Sequence, residues 1–364
     1  VKYYLIAGEV SGDLHGANLM KAIQQRDPQA AFRFWGGDRM AAIGGAPVKH
    51  IRDLAFMGFV EVLFNIRIIL GNLKFCKQDL IRFNPDVLIC IDYPGFNMRI
   101  AEFAKSQNVK VVYYISPQIW AWKQNRAYKL KAIVDRMLTI LPFEKAFYRK
   151  FDMEVDFVGH PLLDEIGKFE KEKEQTSISS KKYILLLPGS RRQEVQKMLP
   201  AMVRTATHFS NYDTVIAAAP GMDPAYLKSL CGNSKVQIIS GKTYHLMQHA
   251  HVALVTSGTA TLETGLWSTP MVVCYKGSSV SFLIAKRLIK VKYISLVNLI
   301  LDAPVVPELI QRDFNVHSLS LNLEKLLSGP ERTAQKEAFE RLRQVLGGPG
   351  ASDRAAAIIS ETIQ

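Results

Sequence analysis

The chain has 364 residues, and it lacks the features that would tie it to many common chemistries. Its four cysteines, Cys76, Cys90, Cys231 and Cys274, are scattered, with no close pair of the kind that marks zinc or redox motifs. Cys90 and Cys274 fall in apolar runs and read as core thiols, which suits a reducing cytoplasm better than a secreted setting. No uninterrupted apolar stretch reaches the ~20 residues that cross a bilayer. The opening Val1-Lys2-Tyr3-Tyr4-Leu5-Ile6 reads as a strand, so no leader is expected at this end. Asp-x-Asp, the carboxylate pair with which many metal-dependent sugar transferases hold a donor diphosphate, occurs nowhere. The dinucleotide fingerprint G-x-G-x-x-G is missing from the first glycine turn, and the P-loop spacing is missing altogether. His245, His249 and His251 invite a metal reading, but no acidic partner follows at a suitable spacing. A packed or solvent-facing histidine set is expected there, with no metal and no cofactor.

What the chain has is enough apolar residue for two cores. Hydrophobic residues make up 48% and charged residues 22%, the balance of a globular protein, and the length exceeds one ordinary domain. Lys and Arg outnumber Asp and Glu by 46 to 33, giving a formal charge of +13. Such a surface favours polyanions: nucleic acid, anionic lipid or phosphorylated substrates. No aromatic-and-basic repeat or known binding module supports nucleic acid.

Buried strands are expected at Tyr3–Ala7, Phe32–Trp35, Val87–Ile91, Val109–Ile115 and Met137–Leu141, with helical patterns between several of them. After the polar stretch Glu165–Lys182 the alternation restarts: Tyr183–Leu187, Thr214–Ala218, Val236–Ile239, Val252–Thr256 and Met271–Tyr275. Alternation of this kind predicts parallel sheets covered on both faces. The expected organisation is an α/β domain over residues 1–165, a linker over 166–182, a second α/β domain over 183–345 and a last helix over 346–364. The glycine break at Gly347–Gly350 suggests that this helix crosses away from its own domain.

Ligands of such sheets bind beyond the carboxyl ends of the strands, and the candidate motifs fall there. The first turn, Gly8-Glu9-Val10-Ser11-Gly12-Asp13-Leu14-His15-Gly16, suits either a ligand approach or a tight turn capped by Ser11 or Asp13. Glu9 and His15 are its polar side chains best placed toward a ligand. Asp92, at the end of Val87–Ile91, suits either a helix cap or a general base whose pKa burial would raise. Ser116–Lys123 places Trp120 and Trp122 around one Ala in a loop, as a sugar-binding wall or as packing. Gly189-Ser190-Arg191 opens a helix with free amides and an arginine fork suited to diphosphate. Ser257-Gly258-Thr259 is a second turn of that kind, with Glu263 one turn on to accept from ribose hydroxyls. Phe56–Phe75 is strongly apolar yet broken by Glu61, Asn65, Arg67 and Lys74, which fits a buried helix plus strand or a segment lying in a membrane surface.

The segments AGEVSGDLHGA, IDYPGFN, YYISPQIWAWK, LPFEKAFY, VGHPLLDE, LLPGSRRQE and SGTATLE, followed by AKRLIKVKYISLVNLI and VPELIQ, stand in the order and spacing of one family. From about Tyr3 to the C-terminal helix the chain resembles the lipid A disaccharide synthases. The resemblance implies a GT-B fold, two Rossmann-like domains facing across a cleft, with a C-terminal helix crossing between them. It implies an inverting, metal-independent transfer from UDP-2,3-diacylglucosamine to 2,3-diacylglucosamine 1-phosphate (lipid X). It places the family's essential aspartate on Asp92, its first-turn glutamate on Glu9 and its phosphate-binding arginine on Arg191. Uridine and ribose contacts fall around Glu263 and Asn298, and Ser11, His15 and Trp120 on the acceptor side. The family's loop often carries a second acid where this chain has Gly95. The resemblance also implies a homodimer, peripheral on the cytoplasmic face of the inner membrane. Phe59, Val62, Leu63, Ile66, Ile69 and Leu70 are then the expected contacts to an anionic membrane surface.

Overall fold

The computed structural model describes residues 1–54, 66–171, 181–278 and 291–363. The chain divides into two compact units: Val1–Glu165 together with Leu346–Gln364, and Ile166–Val345.

The first unit is built on seven strands: β1 (Lys2–Ala7), β2 (Ala31–Gly36), β3 (Lys49–His50), β4 (Val87–Ile91), β5 (Lys110–Tyr114), β6 (Arg136–Thr139) and β7 (Asp156–Phe157). Their order is β3-β2-β1-β4-β5-β6-β7, and each pairing is parallel. The chain therefore reverses its direction of travel across the sheet between β1 and β4, where Ile6 lies opposite Cys90 and Ala7 opposite Ile91. The central strands are apolar on both faces because helices cover both. Leu5, Ile89, Ile91, Val112 and Leu138 pack with Leu19 and Ile23 of the helix Val10–Arg26.

The same core takes in Ala355, Ala356 and Ile359 of the last helix, Ala351–Ile363, which lies along Val10–Arg26. The chain reaches that position through Gly347, Gly348 and Gly350, all at positive φ, where a side chain would be strained. Asp164 then fastens the helix start. Its carboxylate accepts from the amides of Gly350, Ala351 and Ser352 and from the Ser352 hydroxyl. Those amides have no partner inside their own helix, so Asp164 supplies a cap from another part of the chain.

On the outer side of the sheet, the helix Ile66–Phe83 is pinned through buried Asp79. Asp79 accepts from the Tyr4 hydroxyl at 2.8 Å and from Arg33, and Trp35 donates to the same Tyr4 oxygen at 2.9 Å. Its solvent face carries Ile68, Leu70, Phe75 and Ile81, each exposed, among basic residues. Of the expected membrane contacts, Phe59, Val62, Leu63 and the Ile66 side chain lie outside the described residues; Ile69 is half-buried and Leu70 exposed. No helix among the described residues is long and apolar enough to cross a membrane.

The second unit has six strands: β8 (Tyr183–Leu187), β9 (Asp213–Ala218), β10 (Gln237–Ser240), β11 (Val252–Thr256), β12 (Met271–Tyr275) and β13 (Glu308–Ile310), in the order β10-β9-β8-β11-β12-β13, again parallel. Its reversal falls between β8 and β11, where Leu187 lies opposite Val255. Leu186, Leu254 and Val272 form the core with Val195, Met198 and Met202 of the helix Arg192–His208.

Three strands depart from the sequence expectation. β3, β7 and β13 are two or three residues long, too short for an alternation pattern to register. The polar stretch after Glu165 also differs from a plain connection. Its first part continues the helix Leu162–Lys171, anchored by buried Leu162, Leu163 and Ile166.

Candidate active site

In parallel sheets the point of chain reversal opens a crevice at the carboxyl edge, because the loops on either side leave in opposite directions. In the first unit the two flanking loops carry Glu9 and Asp92. Glu9 is the first residue outside the helix Val10–Arg26, exposed, and its side chain caps nothing in that helix. Asp13 does not cap it either: its buried carboxylate accepts from the amides of Gly37, Arg39 and Met40, holding the loop after β2.

Asp92 and Tyr93 both adopt positive φ, 45° and 50°, an unusual pair for non-glycine residues. The turn is held from behind. Asn97 donates to the carbonyls of Ile6, Ile91 and Asp92, and the Tyr113 hydroxyl donates to the Asp92 carbonyl at 2.7 Å. The Tyr93 ring lies over Gly8, where a Cβ would come within 2.3 Å of it, so only glycine fits at that point of the first turn. These constraints leave the Asp92 carboxyl partly buried near Glu9. Burial pushes its pKa from 3.8 up to about 7, the Glu9 charge pushes the same way, and the Tyr93 amide pulls down. At Gly95 a Cβ would meet nothing within 4 Å, so the space of an additional acid is open there and unfilled.

Of the residues expected on the acceptor side, Ser11 is exposed while His15 and Trp120 are buried. His15 is held neutral: burial lowers its pKa to about 4, against the opposing charges of Glu165 and Asp164. His160 beside it falls to about 3, through burial and then through His15. Trp120 packs edge-on to Phe143 at 5.0 Å, and Trp122 is 41% exposed, so the Trp pair splits into one packing residue and one surface residue.

Sequence reasoning missed Glu144. It is buried beyond the end of β6, accepts from the Ile140 and Leu141 amides, and faces Ser116 and Trp120. Burial raises its pKa to about 7. It joins the loops after β5 and β6, and only the LPFE motif could have pointed to it.

In the second unit the reversal is flanked by the two glycine turns. Gly189 takes φ +98° and Gly258 φ +148°, both beyond the reach of ordinary side chains. The helices Arg192–His208 and Thr259–Leu266 begin after Arg191 and Gly258, and neither first turn is capped by a side chain. Two helix starts without side-chain caps at one sheet edge present amides of the kind that suit an anion. Ser190, Gly258 and Thr259 are exposed, and the Arg191 side chain, 66% exposed, pairs with Glu194 at 3.2 Å. An exposed pair of this kind is worth little. The turn at Ser257 is braced through its hydroxyl, which donates to the Ile294 carbonyl at 3.1 Å.

Glu263 is partly buried and accepts from the Tyr244 hydroxyl at 3.1 Å; burial raises its pKa and that bond opposes the rise. Asn298 is placed as a structural brace. It is buried, and its amide is spent on the chain itself, donating to the Val306 carbonyl and Glu308 and accepting from the Val306 amide, each at 2.9 Å. Glu308 also accepts from the amides of Ile294 and Ser295 and the Ser295 hydroxyl. Asn298 thus shapes the loop behind the Ser257 turn. The rings of His245 and His249 pack edge-on at 4.8 Å, and no group of three metal-ligating side chains occurs among the described residues.

The family model for lipid-A-disaccharide synthetase matches residues 3–362. The chain belongs to the lipid-A-disaccharide synthase family. It is 39% identical to the lipid-A-disaccharide synthase of Syntrophus aciditrophicus, over 97% of this chain and 95% of that protein. It is 37% identical to that of Trichlorobacter lovleyi, over 99% and 97%. Among solved structures it resembles the glycotransferase of kitacinnamycin, with a TM-score of 0.71 at 14% identity over 100% of this chain and 99% of that one. It also resembles a UDP-GlcNAc 2-epimerase of Neisseria meningitidis bound to UDP-GlcNAc, with a TM-score of 0.67 at 15% identity, over 100% and 99%. At such identities the likeness speaks for the fold, two Rossmann-like units of the GT-B kind. A synthase of this family thus carries, in each unit, its candidate residues beside the reversal of the sheet.

Proposed function

We propose that this synthase transfers a diacylglucosaminyl group from UDP-2,3-diacylglucosamine to the 6-hydroxyl of 2,3-diacylglucosamine 1-phosphate, releasing UDP. The observation that carries the chemistry is the partly buried Asp92 carboxyl at the sheet reversal, with a pKa of about 7. A carboxylate so tuned is a competent base near neutral pH. The hydroxyl proton passes to Asp92, the acceptor oxygen bonds to the anomeric carbon, and the bond from that carbon to UDP breaks with inversion. Charge developing on the diphosphate is met by Arg191, the Ser190 hydroxyl and the Gly258–Thr259 helix start, while Glu263 accepts from the ribose. Buried His15 and Trp120 act from behind, supporting the turns that carry Ser11 and the loop after β5.

The exposed apolar and basic face of Ile66–Phe83 supports a peripheral position on an anionic membrane, on the cytoplasmic face of the inner membrane where its donor would be met. The homodimer implied by the sequence resemblance belongs to the same reading, and sedimentation tests it. The transfer itself is tested by incubating the purified chain with both lipids and following UDP and the tetraacyl disaccharide 1-phosphate by mass spectrometry. Isomerisation of the donor with no disaccharide formed would replace this reading with an epimerase.

A further inference from the structure

The loop from β5 to the helix Arg126–Ile133 contains a group of charges the proposed mechanism does not use. Lys123 holds its Nζ over the Trp122 ring, 4.3 Å from the centroid, and the Arg126 guanidinium lies 5.7 Å from the same centroid. Two cations thus share one aromatic ring, with no carboxylate paired to either among the described residues. Neighbouring lysines are treated differently: Lys129 pairs with Glu102 at 2.7 Å and Lys105 with Asp135.

The arrangement is imposed by the backbone. Lys123 takes φ +52°, the Arg126 amide donates to the Lys123 carbonyl at 3.0 Å, and Gln124 ties back to the Trp120 carbonyl at 3.0 Å. Two cations gathered at one ring without a paired carboxylate suit an anionic ligand, whose charge would offset their repulsion. The Trp122 face, 41% exposed, adds an apolar plane next to that anion.

The position relative to the candidate base narrows the ligand. This loop leaves the sheet at the same carboxyl edge as Asp92, from the adjacent strand. Tyr113 of β5, the strand this loop follows, donates its hydroxyl to the Asp92 carbonyl. An anion held by Lys123 and Arg126 would therefore belong to the molecule whose hydroxyl Asp92 deprotonates.

We infer that Trp122, Lys123 and Arg126 form the subsite for the phosphomonoester of the lipid acceptor and set the enzyme's preference for a phosphorylated acceptor. The inference rests on the acceptor reading given above and deepens it. The experiment compares the parent chain with Lys123→Ala, Arg126→Ala and the double variant in mixed micelles. Acceptors are diacylglucosamine 1-phosphate and the same lipid without its phosphate. KM for the phosphorylated acceptor is expected to rise about tenfold or more per cation removed. The dephosphorylated lipid should be used about equally by all four proteins, and UDP affinity, measured by calorimetry, should not move. Lys123→Arg should restore most of the preference, which separates charge from folding. An unchanged preference in the double variant overturns the inference. So does a double variant that keeps the preference but no longer binds vesicles of phosphatidylglycerol and phosphatidylcholine, because the cations would then serve membrane headgroups. If the parent itself transfers to neither lipid, the acceptor reading fails first and takes the subsite with it.

Discussion

The Tyr113 hydroxyl donates to the main-chain carbonyl of Asp92 at 2.7 Å, across adjacent strands. This bond and the Asn97 amide fix the backbone of a residue whose φ of +45° an aspartate seldom adopts.

The first prediction follows from that carboxyl. Asn tolerates positive φ and matches Asp in shape, so Asp92→Asn should fold. Loss of a general base costs about 100- to 10,000-fold in rate, and turnover is expected to fall within that range while UDP affinity, measured by titration calorimetry, stays put. Near-normal turnover would remove Asp92 from the role of base.

Stability should change in the opposite direction as pH rises. An acid whose pKa rises from 3.8 to about 7 on folding contributes stability that is fully present below 3.8 and lost progressively as pH climbs from there through about 7. Above that value the parent holds a poorly solvated carboxylate, which the asparagine lacks. Thermal melts should place Asp92→Asn above the parent at pH 8 and level with it at pH 3.5.

A third prediction concerns the pH–rate profile. The base must be ionised, so kcat/KM should rise with pH along an acid limb near pH 7. The Glu9 charge is the second cause of the raised pKa. Glu9→Gln should therefore move the limb to lower pH, whatever it does to the plateau. A limb that stays in place would show that Glu9 is not felt by the titrating group.

The fourth prediction separates two substitutions at Asn298. Asn298→Ala leaves the Val306 amide and carbonyl without their partner, a loss of about 2–3 kcal/mol. Asn298→Asp keeps an acceptor for the Val306 amide but sets a second carboxylate against Glu308. Urea unfolding should rank Asp below Ala, and both should weaken UDP binding because the brace behind Ser257 is lost. If Asn298 contacted the nucleotide alone, stability would not move.

Much of the architecture was legible because its central strands are short apolar runs ended by glycine or aspartate turns. β4 and β11 fall where Val87–Ile91 and Val252–Thr256 were expected, and the turns after them carry Asp92 and Gly258. Three kinds of feature were not legible. β3, β7 and β13 are too short to leave a periodic signal. Asp13 looked like a cap because it stands in a helix's first turn, yet its partners are 24 to 27 residues away. Asn298 and Glu308 make a buried network whose members are polar side chains, and polarity in sequence looks the same whether it faces water or the chain's own amides.

The anchoring of Ala351–Ile363 on Asp164 bears on how the protein is made. The first unit is assembled from both ends of the chain, and the whole of Ile166–Val345 is synthesised before its last helix. Until then the apolar side of Val10–Arg26 that Ala355, Ala356 and Ile359 cover stays bare. The first unit therefore cannot close this part of its core until the last helix has been made, although most of that unit is synthesised first. A nascent chain stalled before Ala351 would present that uncovered seam to chaperones, and a premature stop there would cost the unit carrying Asp92.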